Sequence, residues 1–335
     1  MNEQRPPTVK DIAAHTGLSF STVARILRGE KRFRPETVET VSRAAEALGY
    51  RSNRAAAILA SRSPSHLNRR ESLAYISLET HLSTAWKIYR QTALDYAETR
   101  GFHCTSLEVD DLSQLPRNLD KLYHQGVDGL IFSRIRPGIG WADLELDRFS
   151  VVGVARADEV LPVSTVRPDV SHSVRVCFEK LREVGCRRIG AALRRHQEVY
   201  LDDRDRCGAY LDCWRRAFPG EQAPRIYDEL HRDFTGLEEW LRAERIDGLI
   251  SFSSADYQTL TNRGWKIPGD LRVAALLVNS ASPPGLAGVE EEQRHIHLLS
   301  VDLLDHKLRM RERGMEKVRV DYLITPTWRE GASCS

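Results

Sequence analysis

Phe20, Ser21 and Arg25 fall on the outward side of a short amphipathic stretch whose Val23, Ile26 and Leu27 turn inward. An arginine presented in this way can pair bidentately with guanine O6 and N7, the commonest specific contact in a DNA major groove. Ser19, Thr22, Arg28, Lys31, Arg32 and Arg34 surround it and are suited to phosphate oxygens, which fix register without reading sequence. The rest of the chain offers little for catalysis. There is no G-x-S-x-G and no phosphate loop, and Gly138-Ile-Gly140 lacks the third glycine of a dinucleotide site. Glu290-Glu291-Glu292 reads as a solvated acidic run. His295 and His297 lie in a stretch that reads as helix, where residues two apart point to opposite sides, so no metal pair is expected. Six cysteines without a C-x-x-C pair imply free reduced thiols, and no cofactor is expected.

Three short helices must position the reading residues. Thr8 and Asp11 have capping-box spacing and open a helix to Thr16, which Gly17 ends. Ser19 caps a second helix over 20–28, and Pro35 starts a third over 35–48 with Val38, Val41, Ala45 and Leu48 on one face. Two helices joined at Gly17-Leu18-Ser19 make a helix-turn-helix, whose second helix enters the major groove. Charge agrees with that placement. The chain carries a formal +2, but residues 1–70 hold +7 and the remainder −5, so a polyanion partner is expected for the head alone.

An alanine-rich stretch over 53–60 spans about two helical turns, too short to be stable alone, and 61–70 has linker composition. Beyond 71, apolar runs at 73–78, 104–109, 128–133, 151–155, 189–193, 247–252 and 272–278 alternate with helical patterns at 85–100, 116–125, 170–184, 203–218, 236–243 and 258–263. That alternation predicts parallel sheets with helices on both faces. The fold class expected is an all-α helix-turn-helix head plus an α/β body of two doubly wound parallel-sheet subdomains. The longest purely apolar run, 273–278, and the absence of an apolar leader in residues 1–7 point to a cytoplasmic protein with no membrane segment. Trp86, Trp141 and Trp265 are read as core residues rather than sugar-stacking ones.

TVKDIAAHTGLSFSTVARIL followed by RPETVETVSRAAEALGYRSNRAAAILA resembles the DNA-binding head of the lactose-repressor (LacI/GalR) family over residues 8–60. The resemblance implies that Phe20, Ser21 and Arg25 read bases, that Thr8 joins the DNA-facing set, and that 53–60, with Asn53, Ala56 and Leu59, is a hinge helix that folds when two chains meet on operator DNA. Leu59 matches the leucine that wedges into the minor groove. Ala24, Arg28 and Arg34 depart from the residues usual at their positions. More loosely, VDGLIF, GCRRIGAAL, IDGLISF, IPGDLRVAAL and the segment from AGVEEEQ to WREGAS follow the family's effector-binding body, two subdomains of the type I periplasmic-binding-protein kind.

On that resemblance the boundaries are 1–52 for the head, 53–70 for hinge and linker, and 71–330 for the body, with subdomains at about 71–168 plus 292–312 and about 169–291 plus 313–330. Arg206 matches the family's effector-binding arginine and Asp256 an aspartate after the 247–252 strand. Glu79, Arg134, Arg156 and Asp169 lie at predicted strand ends, where open α/β sheets bind ligands. Asn279 stands near the position of an effector-binding aspartate that this chain replaces by Leu277 and Val278. The implied function is a transcription regulator, most often a repressor, that binds a near-palindromic operator as a homodimer and responds to a small molecule, a carbohydrate or related metabolite, in the intersubdomain cleft.

Overall fold

A computed structural model describes residues 7–27, 33–48, 71–78, 84–133, 135, 139–155, 163–193, 200–228 and 235–335. The head contains α1 (Val9–Thr16), α2 (Phe20–Leu27) and α3 (Pro35–Ala47). Thr8 donates both its backbone N–H and its hydroxyl to the Asp11 carboxylate, at 2.6 and 2.7 Å, which closes the expected capping box. Gly17 then adopts the left-handed conformation at φ 68°, which a side chain would resist, and turns the chain into α2. Arg34 precedes α3 without a side-chain cap, so Pro35 at the first helical turn supplies the start signal. Ile12, Val23, Ile26, Val41 and Ala44 form the shared core, with Val38, Ala45 and Leu48 packed partly buried around it.

The body holds two six-stranded sheets. The first contains β1 (Ser72–Ser77), β2 (His103–Glu108), β3 (Gly129–Ser133), β4 (Ser150–Val154), β5 (Thr165–Pro168) and β11 (Asp321–Ile324), all parallel, in the order β11-β5-β4-β3-β1-β2. The second contains β6 (Ile189–Leu193), β7 (Tyr227–Asp228), β8 (Gly248–Ser251), β9 (Arg272–Ala275), β10 (Ala287–Glu290) and β12 (Thr327–Arg329), in the order β12-β10-β9-β8-β6-β7, with only β12 antiparallel. Strands buried on both faces read as continuous apolar runs, and for that reason β3, β4 and β6 are wholly buried.

Helices α4 (Thr84–Thr99), α5 (Leu115–His124) and α10 (Gln293–Met310) accompany the first sheet. The second has α6 (Val170–Glu183), α7 (Leu201–Ala217), α8 (Thr235–Ala243) and α9 (Ser254–Asn262). Each sheet therefore has two apolar cores, one per face, as the α/β alternation requires.

Three details differ from expectation. The segment between the apolar run at 151–155 and the helix at 170–184, where no strand was expected, contains β5, whose Thr-Val-Arg-Pro sequence has too little apolar character to announce a strand. Residues 272–278 form a strand only to Ala275, after which Leu276 and Val278 leave the β9–β10 register while remaining buried. The segment assigned to the second subdomain from 313 instead gives β11 to the first sheet, beside β5, so the return to the second sheet falls between β11 and β12. β11 was unreadable because an edge strand with Tyr322 and Leu323 exposed lacks the alternation of a half-buried one. The chain thus crosses between the sheets at β5 to α6, at β10 to α10 and at β11 to β12.

Candidate functional site

The head presents its charged surface around α2. Phe20 is 53% exposed although it is a large aromatic, and Ser19 and Arg25 are exposed beside it, while Val23 and Ile26 on the inner face are buried. Ser19 Oγ accepts the Thr22 N–H at 3.1 Å and lies 2.8 Å from Thr22 Oγ1, so the Ser19 hydroxyl caps the helix and the Thr22 hydroxyl stays beside it at the positive end. A phosphate at that end would meet backbone N–H groups, a favourable dipole and these hydroxyls. Thr8, at the start of α1, donates its hydroxyl to Asp11. Arg34 is exposed at the start of α3. Ser21 belongs to α2. Arg28, Arg32, Asn53, Ala56 and Leu59 lie outside the described residues, as do Glu79, Arg134 and Arg156 in the body.

In the body, α7 brings a charged cluster to the boundary between the two sheets. Tyr200 starts this helix, its N–H donating to Asp203 at 3.3 Å. Arg206, buried at 7% exposure, reaches Asp203 at 3.5 Å and Glu291 at 3.7 Å, and its guanidinium lies 5.2 Å from the Phe252 ring centre. Among the described residues its Nε has no hydrogen-bond acceptor, nor does Glu291 Oε1 have a donor. From the first sheet Arg167, at the end of β5, reaches across to Asp202 at 3.2 Å and Asp205 at 3.4 Å. It also lies 3.6 Å from Asp321 of β11.

Glu291 corrects the reading of 290–292 as a solvated run. Glu290 is exposed, Glu291 is 6% exposed, and Glu292 adopts a left-handed φ of 51°. Burial is the main cause that pushes the Glu291 carboxyl up to about 7, against the opposing pull of Arg206 and with a smaller push from Asp202. The sequence signal existed: a glutamate directly after a strand of an open α/β sheet sits where ligands bind.

The two histidines do point apart. His295 is exposed beside Glu292 at 2.9 Å, whereas His297 is fully buried, its ring stacked with Tyr75 and Tyr89 and edge-on to Trp86. Burial holds the His297 imidazole neutral down to about 4. Its Nδ1 lies 2.7 Å from the Gln293 carbonyl, so it carries the proton as donor and Nε2 is a bare acceptor.

Other expected pocket residues make local contacts in the structure. Asp169 caps α6, accepting the His172 N–H at 2.8 Å, and Asn279 Oδ1 accepts the Ala281 N–H at 2.9 Å within its own turn. Asp256 is buried in the first turn of α9, which follows Phe252. Trp141 is a core residue packed on Phe132, and Trp265 donates to Glu238 at 2.7 Å. Among the described residues there is no group of three potential metal ligands and no helix long and apolar enough to cross a membrane.

A profile of the bacterial regulatory proteins of the lacI family matches residues 8–53, the head just described. The maltose regulon regulatory protein MalI of Escherichia coli (strain K12) is 30% identical over 211 residues, covering 61% of this chain and 58% of that protein. The head is therefore similar to that of the lacI family. MalI of Vibrio furnissii is 46% identical over 56 residues, 17% of this chain and 41% of that protein. These alignments span less than two thirds of either curated relative.

Among solved structures, a complex of the transcriptional regulator CelR with cellobiose superposes with a TM-score of 0.64 at 20% identity, covering 98% of this chain and 99% of that one. A lac repressor dimer bound to operator and the anti-inducer ONPF gives 0.63 at 17% identity, covering 99% and 100%. The lacI-family fold, a helical head on a periplasmic-binding-protein-like body, therefore extends over nearly the whole chain.

Proposed function

We propose that this protein is a sequence-specific DNA-binding transcription regulator, a repressor, that acts as a homodimer on a near-palindromic operator. The observation that carries the reading is the head surface, where exposed Phe20 opens α2 at its capped, positive end and exposed Arg25 stands in its last turn. Arg25 reads a guanine, and the hydroxyls and cations around it hold phosphates. On a duplex that the wild type prefers, Arg25→Ala should lose about 1–3 kcal/mol of discrimination at one base pair per half-site while non-specific affinity changes little. Competition binding against single-base variants of that duplex measures this, and equal discrimination by the two proteins would overturn it.

The body is proposed to bind a small-molecule effector, a carbohydrate or related metabolite, between its two sheets, close to Arg206 and Asp256. The solved relatives with this fold include regulators crystallised with cellobiose and with D-xylulofuranose, which supports a sugar-sized ligand. Binding would shift the relation between the two sheets and, through the segment 53–60, the spacing of the heads. A ligand present at about 100 times its dissociation constant should add about 2.7 kcal/mol of stability to the body. A thermal-shift series with mono- and disaccharides tests the proposal, and flat unfolding curves across saturating sugars would refute this ligand class.

A further inference from the structure

The charged groups at the boundary between the sheets form two ion pairs that both end on the first turns of α7. Arg206 runs from α7 to Glu291 on the crossover that leads into α10, and Arg167 runs from β5 of the first sheet to Asp202 and Asp205 of α7. The next crossover residue, Glu292, is tied to β12 of the second sheet, accepting the Thr327 hydroxyl at 2.7 Å. We propose that the first turns of α7 act as a proton-sensitive clasp, tied to the first sheet by Arg167 and to the point where the chain leaves the second sheet by Arg206, with Glu291 as the titrating member. Its regulatory consequence rests on the reading of the body as an effector-binding part, because the clasp sits beside the proposed cleft.

The geometry makes Glu291 the weak element. Its contact with Arg206 is 3.7 Å, longer than a charge-assisted hydrogen bond, and among the described residues both Glu291 Oε1 and Arg206 Nε lack hydrogen-bond partners. A buried pair of this kind does not recover the full cost of removing its charges from water. Among the described residues, the titratable or charged groups facing Glu291 are Arg206 and Asp202 from α7 and Tyr89 from α4. Asp203 shares the Arg206 guanidinium, and Gln293, the first residue of α10, donates to Glu291 Oε2 at 3.2 Å.

Arg206 thus serves two carboxylates, Asp203 and Glu291, and the buried Glu291 carboxyl holds its proton up to about 7 instead of the ordinary 4.5. The folded chain therefore binds a proton that the unfolded chain has released between those values, so the contribution of Glu291 to stability falls as pH rises through that window. Above it, the clasp contains a buried, poorly solvated carboxylate and should loosen.

The test uses the full chain without DNA or ligand, so its outcome is independent of whether the protein proves to be a regulator. Carbon-13 NMR of glutamate carboxyl groups, with Glu291→Gln to assign the resonance, should show Glu291 titrating near neutral pH. Asp202→Asn should lower that midpoint by removing a like charge. Hydrogen exchange, corrected for the intrinsic pH dependence, should quicken in 201–206 and 290–293 of the wild type as Glu291 ionises and should not do so in Glu291→Gln. A Glu291 midpoint in the ordinary carboxylate range overturns the proposal, as does an Asp202→Asn midpoint that stays or rises. Exchange that is flat with pH in the wild type would show that Glu291 titrates without working the clasp.

Discussion

Raising salt from about 50 to about 200 mM should weaken duplex binding by roughly three to five powers of ten, the loss expected when about six to ten phosphates are neutralised. Residues 1–70 hold a formal +7 while the remainder holds −5, so the whole-chain value of +2 conceals the polarity that drives this effect. Arg25, Arg34 and Lys10 are exposed on the head, and a dimer doubles every phosphate contact that one head makes. Each contact releases condensed counterions, which makes the logarithm of affinity linear in the logarithm of salt concentration. Fluorescence anisotropy with a labelled duplex over a salt series gives the slope directly. A slope near zero would mean that the head does not engage the phosphate backbone. Ligand binding by the acidic body should hardly respond over the same range, since an uncharged sugar releases no counterions.

Ile12→Ala should abolish DNA binding while leaving the body folded. Ile12 is fully buried and shares its core with only Val23, Ile26, Val41 and Ala44 as buried partners. A buried isoleucine cut to alanine costs about 2–5 kcal/mol. Small units bury a small share of their surface and have little stability to lose. The two cores of each sheet share no residue with the head core, so their unfolding transition should stay within a degree or so of the wild type. Circular dichroism melts together with duplex anisotropy separate the two events. Retention of affinity within about twofold would show that the head tolerates the cavity and that its core is less critical than the burial implies.

The head was the most legible part of the chain because its signals are local. Thr8 with Asp11, Gly17, Ser19 and Pro35 each act within one turn of a helix end, and each does in the structure what its residue type and position imply. The central strands of both sheets were equally readable, since burial on both faces leaves runs such as Ile189–Leu193 with no polar interruption. Edge and connecting strands were not. β5 contains a proline and an arginine whose place is justified by distant aspartates on α7 and β11, and β11 is exposed on one side.

The body's site was the hardest to read for the same reason. Glu291 looked solvated beside two other glutamates, and only the chain's return past α7 buries it against Arg206. Asp169 and Asn279 follow or flank strands, and each also accepts a backbone N–H at the next turn. Type and local spacing cannot separate a capping carboxylate from a binding one. The choice is made by which backbone N–H groups lie within hydrogen-bond reach after folding.

The measurement that tests the central claim most directly is selection of bound duplexes from a randomised pool by the full chain at moderate salt, with Arg25→Ala selected in parallel. The account predicts that the wild type enriches one near-palindromic sequence whose two half-sites match the two-fold symmetry of a dimer, and that the variant loses preference at the symmetric positions Arg25 reads. A wild-type pool that stays random, or one identical to the pool selected by Arg25→Ala, would contradict it.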